Sequence, residues 1–202
     1  MTYETRTKRL NLAPLPEECF SRDTWHQADF LDPQLKLSFP DEFFDFTVCG
    51  HTVEDLETPD PLLSELRRVS LAGYIETPSR LAEQTRGVRD RITATQGHPH
   101  HHWIVEAEGN SLLLSAKSLS LQGLNQDLAV PLRSYETMIV QKAGSTILSF
   151  SREHDFQYIV LPESEATRRA KLQVETCPIS RTDRVLDPII RNLRRGEARP
   201  PE

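Results

Sequence analysis

Residues 39–80 read FPDEFFDFTVCGHTVEDLETPDPLLSELRRVSLAGYIETPSR, and the order of elements within them decides the fold. Pro40-Asp41-Glu42 is a short polar turn. Phe43 to Cys49 follow as an apolar run rich in aromatic and β-branched residues, the composition of a buried strand. Gly50 ends the run and His51 comes next. From Asp60 to Val69 the apolar positions Leu62, Leu63, Leu66 and Val69 recur at helical spacing. Gly73 is expected to end that helix, because glycine accepts the left-handed conformation that helix ends favour. Tyr74 and Ile75 begin a second strand, which Pro78 stops. Strand, helix and strand in this order predict two adjacent parallel strands joined by a right-handed crossover.

These residues also carry a resemblance. Phe39-Pro40-Asp41, Phe44-Asp45, His51, Glu54-Asp55, Asp60-Pro61, Glu65 to Val69, Ala72-Gly73, Ile75-Glu76 and Pro78 follow one another without a gap. Together they resemble the second half of a class I S-adenosylmethionine-dependent methyltransferase, of the type 11-like kind. The resemblance implies an α/β, Rossmann-like methyltransferase fold, with a partly parallel sheet followed by antiparallel hairpins. It also implies a glycine-rich GxGxG turn, where glycine lets the backbone approach the cofactor at a helix N-terminus. The first glycine of this chain is Gly50. The resemblance therefore implies a fold truncated at its N-terminus relative to the family, entering near the second strand, to which S-adenosylmethionine is not expected to bind. Trp25 to Leu31 resembles the family segment whose acidic residue helps hold the adenine, which would fall on Asp29 or Asp32; a solvated loop aspartate is the other reading.

The chain has 202 residues, 37% hydrophobic and 27% charged, with a net charge of −6. That balance fits one globular domain with a small appendage and argues against a nucleic-acid backbone as partner. No apolar run reaches membrane-spanning length, and the first ten residues lack the apolar core of a signal peptide. Cys19, Cys49 and Cys177 are odd in number and far apart, which suits a reducing compartment. A cytoplasmic location follows as an expectation, with no membrane and no nucleic acid among the partners.

Along the rest of the chain, residues 9–13 read as a short strand broken by Pro14 and Pro16, and residues 81–97 as a short helix and a loop. Ile104-Val105 and Leu112 to Leu114 flank the Gly109-Asn110 turn and predict a hairpin. Residues 132–140 carry a helical patch. Thr146 to Phe150 and Phe156 to Leu161 are expected to form a second hairpin. Residues 1–162 thus make the methyltransferase-like domain. Residues 163–202 make a polar C-terminal extension, partly disordered, with a short helix after Asp187-Pro188.

In open parallel sheets ligands bind beyond the carboxyl ends of the strands. The first strand delivers His51, Glu54 and Asp55 to that edge. The second delivers Glu76, Thr77, Ser79 and Arg80, with Glu83 one turn into the next helix. A histidine run follows, His98-Pro99-His100-His101-His102, internal to the chain and just ahead of a strand. His51, Glu76 and members of the set His98, His100, His101 and His102 are the candidate ligands of a divalent metal. Two imidazoles and a carboxylate suit zinc, iron, manganese or nickel and leave open positions. Glu54, Asp55 and Arg80 are the candidate catalytic residues, Arg80 as the holder of an anionic group. Each has a plainer reading: His51 as a structural histidine, Glu54 and Asp55 as loop caps, Glu76 and Arg80 as an ion pair, the histidines as a solvated loop. Cys49 reads as core.

Three functions remain open on the sequence. One is a repurposed enzyme that has left S-adenosylmethionine and does metal-assisted chemistry on a small polar substrate. The second is a methyltransferase with an atypical or partner-completed cofactor site, in which His51 or Glu76 acts as base. The third is a non-catalytic scaffold subunit. A small-molecule substrate, and a homo-oligomer or a partner subunit, are the associated expectations.

Overall fold

The computed structural model describes residues 21–88, 96–117, 129–130 and 145–177. Its regular elements are β1 (Thr47–Gly50), α1 (Asp60–Val69), β2 (Ala72–Pro78), α2 (Arg80–Gln84), β3 (Trp103–Glu108), β4 (Ser111–Ala116), β5 (Ser145–Ser151), β6 (Gln157–Leu161) and α3 (Glu163–Thr176). They build a mixed α/β fold around two three-stranded sheets, ordered β1-β2-β5 and β3-β4-β6.

The β1–α1–β2 unit forms as the sequence predicts. β1 and β2 run parallel with Cys49 opposite Ile75 and Gly50 opposite Glu76. α1 crosses between them and buries Leu62, Leu63, Leu66 and Val69. Pro61 sits in the first turn of α1, where its missing N–H removes no helical bond. Arg68 at the other end ties the preceding loop to the helix: its guanidinium donates to the Leu37 and Phe39 carbonyls and to Glu65, whose carboxylate accepts from the Leu37 N–H.

Three local expectations shift. β1 is shorter than the apolar run, because Phe43 and Phe44 pack with Phe39 in an aromatic cluster instead of extending the strand. Phe43, Phe46 and Val48 are exposed, so β1 is buried on one face only. Gly73 does not end α1 but lies inside β2. A Cβ there would sit 2.5 Å from the Thr47 carbonyl oxygen and 2.7 Å from the Phe150 ring, so the glycine is required by close strand packing. Trp25 to Leu31 forms no strand. Asp29 and Asp32 are exposed and accept from the Leu31 and Gln34 N–H groups, as loop aspartates do.

The first hairpin is present, with β3 and β4 antiparallel and Val105 opposite Leu114. The second expected hairpin is not. Both of its strands exist, but β5 pairs antiparallel with β2 while β6 pairs parallel with β4. The connection explains this. Phe156 is fully buried and packs on Phe150, ring centroids 5.0 Å apart, and Asp155 pairs with Arg67 of α1. The chain is thereby carried from one sheet to the other. The shared core draws on both sheets, with Ile75, Leu148 and Phe150 from the first and Val105, Leu112 and Leu114 from the second.

The expected C-terminal extension begins with α3, which packs on the second sheet. Ala166 and Ala170, four residues apart, are buried against Ile104. The calls for a strand at 9–13, a helix near 132–140 and a helix after Asp187 lie outside the described residues. Among the described residues, no helix is long and apolar enough to cross a membrane.

Candidate metal centre

The turn after β1 and the loop before β3 are stitched together by backbone. The His51 N–H donates to the Glu76 carbonyl at 2.8 Å, one step beyond the β1–β2 ladder. His51 itself has φ +50, a left-handed conformation that non-glycine residues rarely adopt. Val53, fully buried, anchors a single helical turn, Val53–Asp55, that turns Glu54 inward and Asp55 outward. The Glu54 carbonyl accepts from the His102 N–H at 2.7 Å, and the Leu56 carbonyl accepts from the Trp103 indole at 2.8 Å. The histidine loop thus hangs from the β1 turn at two points. Its other end is fixed by Gly97, whose N–H donates to the Thr85 carbonyl at 2.8 Å. Gly97 has φ +52, and a Cβ there would lie 2.5 Å from Glu83 Oε2, so no other residue fits.

Glu83 of α2 is the centre of this arrangement and is almost fully buried. His101 Nδ1 lies 2.7 Å and His98 Nδ1 3.1 Å from Glu83 Oε1. The Lys117 ammonium, also buried, donates to Glu83 Oε2 at 2.5 Å and to the His98 carbonyl at 2.7 Å. Burial alone would push the Glu83 carboxyl up. The hydrogen bonds from His101 and His98 and the Lys117 charge outweigh it and hold the group well below the usual carboxylate range. A carboxylate oxygen only accepts, so geometry assigns Nδ1–H to both histidines. The Nε2 atom of a neutral imidazole so held carries a lone pair.

His101 Nε2 lies 3.5 Å from Asp55 Oδ1, and His100 Nε2 lies 3.7 Å from the same oxygen. Asp55, His100 and His101 form one group whose ligand atoms all lie within 4.8 Å of one another; Glu83, His98 and His101 form a second, sharing His101.

Glu54 adds a further charge problem. Its side chain is 1% exposed, and neither carboxylate oxygen accepts a hydrogen bond. His51 Nδ1 stands 3.4 Å from Glu54 Oε1. Burial pushes the Glu54 carboxyl up, and its own backbone amide, then the nearby His101 and His51, only partly counter it. Burial and the Glu54 charge also push the neighbouring Cys49 thiol up to about 11, and Cys49 is packed in the core.

Of the residues singled out in the sequence, His51, Glu54, Asp55, His98, His100 and His101 meet at this edge. His102 is exposed and contributes its backbone N–H. Glu76, His51 and His102, also expected as ligands, are not part of either ligand group. In β2 the alternating residues Ile75 and Thr77 are buried, and Glu76 lies with Tyr74 on the opposite face. Arg80 is buried as well, but Nη2 donates to Glu106 at 2.6 Å and to Ser115 Oγ at 2.7 Å, so it ties α2 to the second sheet and its ion pair is not with Glu76. The residue the sequence reading missed is Lys117. Its signal was present: it is the one charged residue between Ser111 and Asn125.

Compared with known families, residues 7–73 match the methyltransferase domain, about a third of the chain. The match spans β1, α1 and the start of β2, and so contains His51, Glu54 and Asp55. Glu83, the histidine loop and Lys117 lie beyond it. No curated protein and no solved structure matches the chain.

Proposed function

We propose that the chain is a metal-dependent enzyme on a methyltransferase-like α/β frame, holding one divalent cation between Asp55, His100 and His101. The observation that carries this reading is the meeting of acceptors at His101. With Nδ1–H given to Glu83, the His101 Nε2 lone pair faces a carboxylate oxygen at 3.5 Å. Two acceptors so placed repel unless a cation stands between them. A tetrahedral ion with ligands about 2.0–2.1 Å away sets neighbouring donors roughly 3.3 Å apart, close to the 3.5 and 3.7 Å found here. Glu83 then plays the outer carboxylate that orients a ligating imidazole. Glu54 gives independent support: a buried carboxylate with no hydrogen bond is stabilised by a nearby cation.

Two imidazoles and a carboxylate suit zinc, iron, manganese or nickel. Such an ion keeps positions open for a water or a substrate oxygen, which it activates or polarises. The substrate class that fits an exposed polar rim of this kind is a small polar molecule.

A second reading is favoured by the family match over residues 7–73: a methyltransferase that binds S-adenosylmethionine in an atypical way. The two separate cleanly. Elemental analysis of the purified protein, with and without chelation, is expected to give about one metal per chain, and Asp55→Ala and His101→Ala are each expected to lose it while remaining folded. A calorimetric titration with S-adenosylmethionine is expected to show no binding. A micromolar dissociation constant for S-adenosylmethionine together with metal-free protein would reverse the order of the two readings.

A further inference from the structure

Lys117 is an unusual residue to find where it is. Its ammonium is completely enclosed, and it follows β4 at a point where the backbone still continues the sheet, the Lys117 N–H donating to the His102 carbonyl at 2.8 Å. The side chain does not turn outward, as lysine stems at strand ends readily do. It runs inward to bridge Glu83 Oε2 and the His98 carbonyl.

The consequence is geometric. A carboxylate has two oxygens, and each can accept from several donors. With Oε2 taken by Lys117, and with the His98 backbone N–H also near it at 3.4 Å, Oε1 is the oxygen left to the imidazoles. Both Nδ1 atoms converge on it. The rings of His98 and His101 lie stacked, with centroids 4.6 Å apart and planes 27° apart. The same ammonium grips the His98 carbonyl, fixing the loop that carries both rings.

We propose that Lys117 is a positioning residue for the metal centre: by taking up Glu83 Oε2 and the His98 carbonyl, it turns Glu83 Oε1 to the two imidazoles and leaves His101 Nε2 facing Asp55. The inference rests on the metal reading for its functional meaning, but its structural content, one fixed tautomer for His98 and His101, stands without it. Lys117 touches neither the ion nor a substrate and acts only through Glu83 and the loop. Groups that hold the hydrogen-bond partner of a ligating imidazole typically change metal affinity 10- to 100-fold when removed.

The test uses the full chain, freed of metal, with Co2+ as the probe ion. Imidazole nitrogen NMR shifts report the tautomer, a readout that a purely structural role for Lys117 leaves unchanged. In the native protein His98 and His101 are expected in the Nδ1–H form. Lys117→Met is expected to show mixed tautomers and a 10- to 100-fold loss of Co2+ affinity; Lys117→Arg, which keeps donors in the same place, is expected to recover most of both. If Lys117→Met does not fold, the neutral pair Glu83→Gln with Lys117→Met replaces it and is expected to show the same mixed tautomers and the same loss. A single Nδ1–H tautomer with Co2+ affinity within twofold of native, in either variant, overturns the proposal. A native protein that binds no Co2+ overturns the metal reading, and the tautomer measurement still decides the role of Lys117.

Discussion

Glu83→Ala is expected to lower the melting temperature by roughly 6–20 °C and to abolish metal uptake. The substitution removes the acidic partner, the only one among the described residues, of an ammonium with no exposed surface. Breaking a buried pair from one side leaves a charge with neither water nor counter-ion, at a cost of about 3–5 kcal/mol. For a chain of this size each kcal/mol moves the midpoint by about 2–4 °C. The cavity left at α2 and the loss of the acceptor for His98 and His101 act in the same direction. Because the charge and not the packing dominates, adding Lys117→Met to Glu83→Ala is expected to restore most of the lost stability but none of the metal binding. Differential scanning calorimetry on the three proteins checks this. A midpoint for Glu83→Ala within 2 °C of native would show that Glu83 and Lys117 are not the hub described here.

Glu54→Met is expected to move stability the other way. It replaces a buried carboxylate that has no hydrogen bond by an apolar side chain of similar length. Relieving a desolvated, unpartnered polar group is worth about 1–3 kcal/mol, so the metal-free variant is expected to melt roughly 2–12 °C higher than the metal-free native protein. Its metal affinity is expected to fall, since the cation loses a nearby negative charge. A gain in stability paired with a loss of binding is the signature of a group kept for function. A variant that melts lower than native in the absence of metal would mean that Glu54 has a stabilising partner.

The sequence carried the β1–α1–β2 unit because each part has a strong local signal. Leu62, Leu63, Leu66 and Val69 mark one helical face, and β-branched and aromatic residues mark the strands on either side. The β3–β4 hairpin was legible from Gly109-Asn110 between two apolar runs. The partnering of β5 and β6 was not. Strand identity is written in local composition, but the choice of partner rests on Phe156 and Asp155, which act across the core and on α1. Gly73 was given the right residue logic in the wrong place, since a glycine serves helix ends and close strand contacts alike.

The candidate site was legible at the level of which edge and which residue types come together. The topological rule brought the β1 turn and the histidine loop together, and His51, Glu54, Asp55, His100 and His101 do meet there. The structure groups Asp55 and Glu83 with the histidines, and leaves Glu76 and His51 outside both groups. Glu76 lies within the right strand but one residue out of phase with its buried face, a distinction that depends on register. Glu83 takes the central place because α2 is short and turns it under the loop, where Gly97 makes room. Lys117 was hidden by a general expectation that lysines face water.

The central claim is that a cation stands between Asp55, His100 and His101. Anomalous X-ray scattering from crystals grown with zinc tests it most directly. The account predicts one anomalous peak about 2.0–2.2 Å from Asp55 Oδ1, His100 Nε2 and His101 Nε2, with His101 Nδ1 still bonded to Glu83. No peak at that position, with His101 Nε2 instead hydrogen-bonded directly to Asp55 as a protonated bridge between two carboxylates, would contradict it.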